Sequence, residues 1–339
     1  MAFVAATGFE TGTAWHPNWL DTGTSGTSGM TTGSGRDGVG VAFSQANNLG
    51  ATQRFSFTAA HDTLYMHIGA KVSAINGLVL AWIMGDTGAT THIELIFDAA
   101  GHLYAKRGAG GTTLASSTQT VTGSAVWYSF EIKCIIADSG GEITVKVNGT
   151  QWLTFTGDTK NAGTATRPDT LKFSVNNDII RYDDIVIYDA SGSTLNTWTG
   201  EVCIVGLRAN GNGANSVLVG SDGNSTNNYQ QVDEFPFNTS DYNGSATATD
   251  LDTYDMTAVA KTGTVIGVQL NNFAAKSDAG ARSFKHVMRA SGGTMVKSSA
   301  VGLSTTYTDY VGPWWETDGN GSAWTTTNLD THEFGFEVA

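Results

Sequence analysis

The acidic pair Asp183-Asp184 is the pattern in this sequence that comes nearest to a chemical site. Adjacent residues of a β-strand point to opposite faces, so these two carboxylates are not expected to act together as general acid and general base. Carboxylate oxygens are the ligands that Ca²⁺ prefers, and Asp178 is close in the sequence. A calcium site of Asp178, Asp183 and Asp184 is therefore one interpretation. We favour a structural role, because Ca²⁺ needs about six to eight converging oxygens.

Four tryptophans are candidates for ligand binding, because they lie in or near predicted loops: Trp15, Trp19, Trp314 and Trp315. An exposed indole ring can stack on a sugar ring. A large aromatic side chain more often covers a core or fills an interface, and we favour that role here. Sugar binding by these four rings is the alternative.

No other combination of residues in the sequence predicts catalysis. The seven histidines are scattered, without the spacing of a serine–histidine–carboxylate triad, and His67 is expected to be solvated on the outer side of a strand. There is no Cys-x-x-Cys and no His-Glu-x-x-His, so a structural zinc site is not predicted. We therefore predict that the protein has no catalytic residues, is not an enzyme and holds no cofactor, with calcium as the one exception considered.

Composition argues against two classes of partner. Lys and Arg number 18 against 31 Asp and Glu, and the resulting net charge of −13 opposes nucleic-acid binding. No run approaches the roughly twenty apolar residues of a membrane helix, and the first residues do not form a signal peptide.

Cys134 and Cys203 fall in apolar strand patterns, so both are expected to be buried, unpaired thiols.

Apolar residues recur with period two along most of the chain, which is the pattern of β-strands. Asn148-Gly149 predicts a tight hairpin, because both residues tolerate positive φ. In the second half we expect a long loop at 210–226, a short helix within 320–330, and strands at 201–207, 264–271, 283–289, 307–311 and 333–338. The chain is thus predicted to be all-β, with two β-sandwich, jelly-roll-like modules in tandem at residues 1–194 and 195–339.

Short motifs follow one another in a recognisable order through the first module: 8–12, 36–38, 98–103, 126–131, 145–149 and 181–187. In the order of these motifs, the first module resembles the laminin-G-like or concanavalin-A-like jelly roll. The resemblance implies a β-sandwich in which calcium binding occurs in some members. Some jelly rolls of this type are glycosidases with acidic residues at alternate positions of one strand. The nearest such pattern here, Asp250-Leu251-Asp252, lies in a turn-rich stretch, so that activity is not predicted.

The second module carries a further set of motifs, at 198–202, 220–229, 232–236, 252–255, 275–282 and 334–339. With these motifs it resembles a region found behind such jelly rolls in virion proteins of tailed bacteriophages. The resemblance implies a structural component of the virion, assembled in the host cytoplasm. A tail or adsorption-apparatus protein is the leading placement, and a capsid decoration protein or head fibre is the alternative. A carbohydrate-binding module or glycan-active enzyme is the third.

These interpretations imply a set of partners. We expect contact with other virion proteins and a homo-oligomer, because particles are symmetric. A host surface glycan is a further candidate partner. Nucleic acid binding and membrane insertion are not expected.

Overall fold

The computed structural model describes residues 3–9, 19–21, 29–32, 35–36, 41–44, 52–57, 59–174, 179–192, 194–234 and 237–339, with the backbone alone for the strands at 19–21, 29–32 and 41–44. The described residues form two compact units. Those up to Ile204 make the first unit, and those from Val205 to Ala339 make the second. The predicted domain boundary, after residue 194, lies on the N-terminal side of the observed boundary, which follows Ile204.

The first unit is built from antiparallel strands joined by turns. In chain order they are β1 (Phe3–Thr7), β2 (Trp19–Asp21), β3 (Gly29–Thr32), β4 (Val41–Ser44), β5 (Thr52–Ser56), β6 (Leu64–Val72), β7 (Val79–Gly85), β8 (Thr90–Phe97), β9 (His102–Arg107), β10 (Thr112–Thr120), β11 (Val126–Ile135), β12 (Gly141–Val147), β13 (Thr150–Gly157), β14 (Thr170–Ser174) and β15 (Ile180–Asp189).

These strands form two sheets. Sheet A has the order β13-β12-β11-β6-β15-β4-β3, with β1 also paired to β15, and sheet B has the order β10-β9-β8-β7-β14-β5-β2. The core lies between the sheets, where Phe97 of sheet B packs on Phe130 of sheet A with ring centroids 6.1 Å apart. The hydroxyl of Tyr182 in sheet A donates to the carbonyl of Leu80, which lies in sheet B, at 2.8 Å. The first unit is therefore a β-sandwich.

The second unit has shorter strands and two brief helical turns. Its elements are β16 (Ala209–Ser216), β17 (Val219–Gly220), a 3₁₀ turn (Asn228–Gln231), β18 (Asn243–Gly244), β19 (Leu251–Met256), β20 (Val268–Ala274), β21 (Ser283–Arg289), β22 (Met295–Lys297), β23 (Val301–Gly302), β24 (Thr308–Trp315), α1 (Thr326–Leu329) and β25 (Glu333–Val338).

Sheet C carries the second unit, with the order β16-β19-β25-β21-β22 and with β23 on β21, while β20 and β24 pair separately. A core cluster joins sheet C to β24 and α1, and its members are Met288, Trp315, Trp324, Leu329 and Phe334. Sheet C thus buries one face under the β20–β24 pair. The prediction of an all-β chain with two β-sandwich modules is confirmed.

Local signals in the sequence predicted the turns well. Asn148 and Gly149 have φ of 48° and 77° and join β12 to β13, as the hairpin motif predicts. Helix α1 begins after Thr325, whose side chain accepts from the Asn328 N–H in a capping box. The predicted strands 283–289 and 333–338 are β21 and β25.

Two predictions around the start of the second unit are wrong. Residues 202–208 form no strand, although the pattern predicted one at 201–207. The predicted loop at 210–226 contains most of β16 and all of β17. The Gly and Asn residues of β16 pair with β19 through backbone hydrogen bonds, which do not need an apolar pattern.

The two cysteines differ in environment, and no disulfide joins them. Cys134 is fully buried, as predicted, and burial raises the pKa of its thiol well above the usual value. Cys203 is exposed, so the prediction that it is buried is wrong, because its segment is not a strand in an apolar sheet. Within the described ranges, no helix has the length and apolar character that crossing a bilayer requires.

Candidate functional site

Three polar side chains stand in a row on the outer face of sheet A, on three neighbouring strands. Glu131 on β11 is the register partner of His67 on β6, and Asp184 follows on β15. Their exposed fractions are only 3%, 0% and 2%. Each offers a hydrogen-bond acceptor, and buried acceptors of this kind require donors.

The donors come from residues 200–204, which we name the strap. The N–H of Gly200 donates to Glu131 Oε1 at 2.8 Å, and the N–H of Ile204 donates to Asp184 Oδ1 at 2.7 Å. Between them the N–H of Val202 lies 3.3 Å from His67 Nε2. Every second N–H of the strap thus points at the row, as in an extended chain. Side chains, rather than a strand ladder, hold the strap across sheet A.

Arg36 fastens the strap from its other side. Its Nη1 donates to the carbonyl oxygen of Val202 at 2.9 Å and to Asp184 Oδ2 at 3.2 Å, and its Nη2 pairs with Glu201. The backbone N–H of Arg36 donates to Asp183 Oδ2 at 2.7 Å. One arginine therefore joins both members of the acidic pair to the strap.

The acidic pair departs from the geometry expected of a regular strand. The register between β15 and β6 shifts between Asp183 and Val186, and Asp184 has a φ of 50°. Such a bulge re-aims side chains, and Asp tolerates the left-handed region better than most residues. The expectation that the two carboxylates serve opposite faces is wrong, because both bind Arg36.

His67 is neutral in this environment. Burial lowers its pKa to about 4, although the hydrogen bond to the Asp184 carbonyl acts in the opposite direction. The Nδ1–H donates to that carbonyl at 2.8 Å, which leaves Nε2 as an acceptor. The prediction that His67 is solvated is wrong: its outward position on β6 is correct, but the strap covers it.

Ser129 lies beside His67, with its hydroxyl 2.7 Å from Nε2. A serine hydroxyl on a histidine nitrogen is also the first contact of a hydrolytic triad. Here the other nitrogen faces a backbone carbonyl instead of a carboxylate, and Ser129 is only 2% exposed. The pair completes the hydrogen bonding of a covered layer and offers no surface to a substrate.

The predicted calcium ligands do not come together in the described part of the chain. Asp178 lies outside the described residues, and among those described no cluster of three or more His, Cys, Asp or Glu could hold a metal ion. The carboxylates of Asp183 and Asp184 accept from N–H donors and face the positive charge of Arg36, which opposes a second cation. The calcium site stays a prediction.

The four candidate tryptophans have different positions. Trp15 lies outside the described residues, and Trp19 is in β2, where the backbone alone is described. Trp315 is 9% exposed and belongs to the core cluster of the second unit. Trp314 is partly buried and packs on Gly267, where an added Cβ would lie 2.1 Å from the ring. The packing of Trp315 fits the core role that we favoured for it.

A further buried carboxylate, Asp252, fixes a loop in the second unit. Its Oδ1 accepts from the N–H groups of Val217 and Leu218 at 2.6 and 2.9 Å. Its Oδ2 accepts from the side chains of Asn228 and Tyr254 at 2.5 and 3.2 Å. Sequence reasoning placed Asp252 in a turn-rich stretch and missed this function, because Val217, Leu218 and Asn228 all lie more than twenty residues away.

Comparison with known proteins yields likeness of fold alone. No family model and no curated protein matches the chain. Domain 4 of AbnA, a GH43 extracellular arabinanase from Geobacillus stearothermophilus in complex with arabinotriose, aligns over 56% of this chain and 92% of its own, with 14% identity and a TM-score of 0.41. A protein of unknown function with a galectin-like fold from Bacillus subtilis aligns over 56% and 96%, with 12% identity and a TM-score of 0.37.

A sialidase aligns over 55% of this chain, with 10% identity and a TM-score of 0.38, and this chain covers 18% of the sialidase. These neighbours include galectin-like and glycan-active proteins. At such TM-scores the likenesses do not assign an activity to this chain.

Proposed function

We propose that this protein is a structural component of a tailed-phage virion, in the tail or adsorption apparatus, and that it is not an enzyme. The observation that carries the non-catalytic part is the use of its buried carboxylates. Glu131, Asp184 and Asp252 each accept from backbone N–H groups and each fix a segment of chain. A general acid or base must instead reach a substrate proton.

The particle assignment is supported by the order of motifs in the sequence, in which a jelly roll precedes a region resembling that of tailed-phage virion proteins. Two β-sandwich units suit such a role, because rigid sandwiches can repeat on a symmetric particle and present their loops outward. Contact with a host surface glycan fits the same role.

Mass spectrometry of purified particles tests this proposal. We expect the protein to be present in many copies. The symmetry of a tail predicts sets of about three or six copies, and a head shell predicts a far larger number. The larger number would favour the alternative of a capsid decoration protein or head fibre. Absence of the protein from purified particles would contradict both placements.

An assay of hydrolysis against a panel of polysaccharides tests the non-catalytic part separately. We expect no turnover by the purified protein. The two informative variants are Asp183→Asn and Ser129→Ala, because these residues carry the groups that most resemble a catalytic set. Turnover of any glycan that either variant abolishes, while the variant stays folded, would overturn the proposal.

A further inference from the structure

A row of charged and aromatic side chains crosses the outer face of sheet B. Register partners on neighbouring strands place in line, from β5 to β9, the residues Arg54, Lys172, Trp82, Glu94 and Lys106. Register partners lie on the same face of a sheet. The residues flanking them on these strands, such as Phe55, Leu171 and Ile83, are buried in the core, so the row points away from it.

The centre of the row is held in a fixed geometry. The indole N–H of Trp82 donates to Glu94 Oε1 at 2.9 Å, and the second oxygen of Glu94 accepts from the N–H of Gly110 at 2.8 Å. The ammonium group of Lys172 lies over the Trp82 ring, 4.9 Å from its centroid. The tryptophan therefore positions Lys172 beside Arg54, and the one carboxylate of the row is already engaged.

Arg54 and Lys172 form an unusual pair, because like charges directly opposite on neighbouring strands repel each other. Burial and the charge of Arg54 lower the pKa of Lys172. Within the described ranges, neither cation has a carboxylate within ion-pair distance: Lys172 contacts the Trp82 ring, and Arg54 donates to the carbonyl of Thr87. Lys106, at the far end of the row, likewise has no described ion pair.

On the outer face of sheet C, by contrast, the cations are paired with carboxylates. There, Glu333 binds Arg289 at 2.6 Å, and Glu337 pairs with both Lys285 and Lys297. Among the side chains that the structure describes, the three cations of the row on sheet B have no carboxylate partner, although Asp and Glu outnumber Lys and Arg by 31 to 18 in the sequence. This arrangement suits an anion from outside the unit.

We infer that the outer face of sheet B binds a carboxylate-bearing polysaccharide, whose acidic groups pair with Arg54, Lys172 and Lys106 as the polymer crosses the strands. Charge-assisted hydrogen bonds to carboxylates suit both guanidinium and ammonium groups. The partly buried indole of Trp82 gives the sugar an apolar edge to contact.

Charge density favours an acidic polysaccharide over nucleic acid as the occupant. Duplex DNA carries about one negative charge per 1.7 Å of its axis, and a chain of net charge −13 repels so dense a polymer strongly. A polymer with one carboxylate per sugar carries fewer charges per length. Three cations spread along one row match that lower density.

This inference adds the chemical class of the ligand to the proposed function. It rests on that function only in placing the ligand on a host surface. Its test uses the purified full chain without particles. If the purified chain does not bind the polysaccharide, the assignment to the particle is therefore unaffected. If the protein is absent from particles, the binding result is likewise unaffected.

The probe is polygalacturonate, with fully methyl-esterified polygalacturonate as the neutral control of the same backbone. Affinity electrophoresis or calorimetry should show binding to the acid form, little binding to the ester, and weakening at high salt. Equal binding to the ester, or no binding to the acid form, would overturn the inference.

Variants locate the site. Lys172→Met should weaken binding on the order of tenfold, because one charge-assisted contact is lost, and Lys172→Arg should restore it. Lys106→Met gives a second measurement at a more peripheral position, should Lys172→Met fold poorly. Lys285→Met, on the paired face of sheet C, is the matched control and should bind as the wild type does.

Two outcomes would contradict the assignment of this face. Unchanged affinity for polygalacturonate in the double variant Arg54→Met with Lys172→Met would place binding elsewhere. Binding of single-stranded DNA as tightly as of polygalacturonate, with the same loss in Lys172→Met, would make the site a general polyanion surface and remove the polysaccharide from the inference.

Discussion

The outer faces of sheet A and sheet C use buried carboxylates in two different ways. On sheet A, Glu131 and Asp184 accept backbone N–H groups of the strap, and Asp184 also holds Arg36. On sheet C, Glu337 holds the ends of two flexible cations, Lys285 and Lys297. The first arrangement fixes the path of the chain, whereas the second neutralises charges that solvent partly reaches.

This difference predicts unequal costs of removal. A buried N–H or guanidinium that loses its acceptor keeps its full desolvation penalty. A partly exposed lysine that loses its carboxylate partner can be hydrated instead, so breaking the ion pair lowers the stability of the fold only slightly. The contribution of a carboxylate therefore depends on what it holds, even where two carboxylates are equally buried.

Asp184→Ala should have the largest effect. It leaves the Ile204 N–H and the Arg36 guanidinium without this acceptor in a buried place, and we expect the free energy of unfolding to fall by about 3–5 kcal/mol. Urea denaturation measures it. Glu201→Ala is the control, because Glu201 pairs with the same arginine but its side chain is 72% exposed. A loss as large in the control would show that the arginine, and not the strap, is decisive.

Acid should weaken the sheet A arrangement through His67. Its folded pKa is about 4 against an ordinary value of 6.5, so the unfolded chain takes up a proton between these values and the folded chain does not. Stability is complete above pH 6.5 and falls as the pH drops towards 4, by about 3 kcal/mol from this group. The pKa of His286 in the second unit is also lowered to about 4 by burial and adds a loss of the same sign.

The variant His67→Gln isolates the contribution of the first unit. Urea denaturation between pH 7 and pH 4.5 should show a shallower loss of stability for this variant than for the wild type. Carboxylates that titrate in both proteins cancel in the comparison. Equal slopes would mean that His67 is as easily protonated in the folded chain as in the unfolded one.

Lys285→Met should have a small effect, because Glu337 keeps Lys297 as its partner. We expect a loss of about 0.5 kcal/mol, typical of a partly exposed ion pair. Thermal denaturation is sufficient to measure it. A loss above about 2 kcal/mol would place Glu337 in the same class as Asp184 and remove the contrast between the two faces.

Local sequence signals predicted those parts of the fold that depend on local physics. The hairpin at Asn148-Gly149 needs positive φ, and the cap at Thr325 needs one hydroxyl three residues before Asn328. Period-two patterns also located β21 and β25, whose apolar faces lie on one core. These elements are decided by residues within a few positions of one another.

The candidate site could not be predicted in this way, because it is made by contacts between distant segments. The alternation correctly puts His67 on the outer face, but its burial depends on a strap that lies 135 residues further along the chain. The residues at 201–207 have a strand-like pattern, yet the N–H groups of Val202 and Ile204 meet side chains instead of a neighbouring strand. At Asp183-Asp184 the bulge breaks the alternation on which the prediction depended.

The smallest expected effect on stability belongs to Lys172→Met, and its response to salt separates sheet B from both other faces. The substitution removes the repulsion from Arg54, which stabilises the fold, and removes the cation–π contact with Trp82, which costs about 0.5–1 kcal/mol. We expect the two effects nearly to cancel. Added salt should stabilise the wild type more than the variant, because salt screens the Arg54–Lys172 repulsion that the variant lacks. A clear loss of stability together with no difference in salt response would show that Lys172 is a structural cation like those of sheet C.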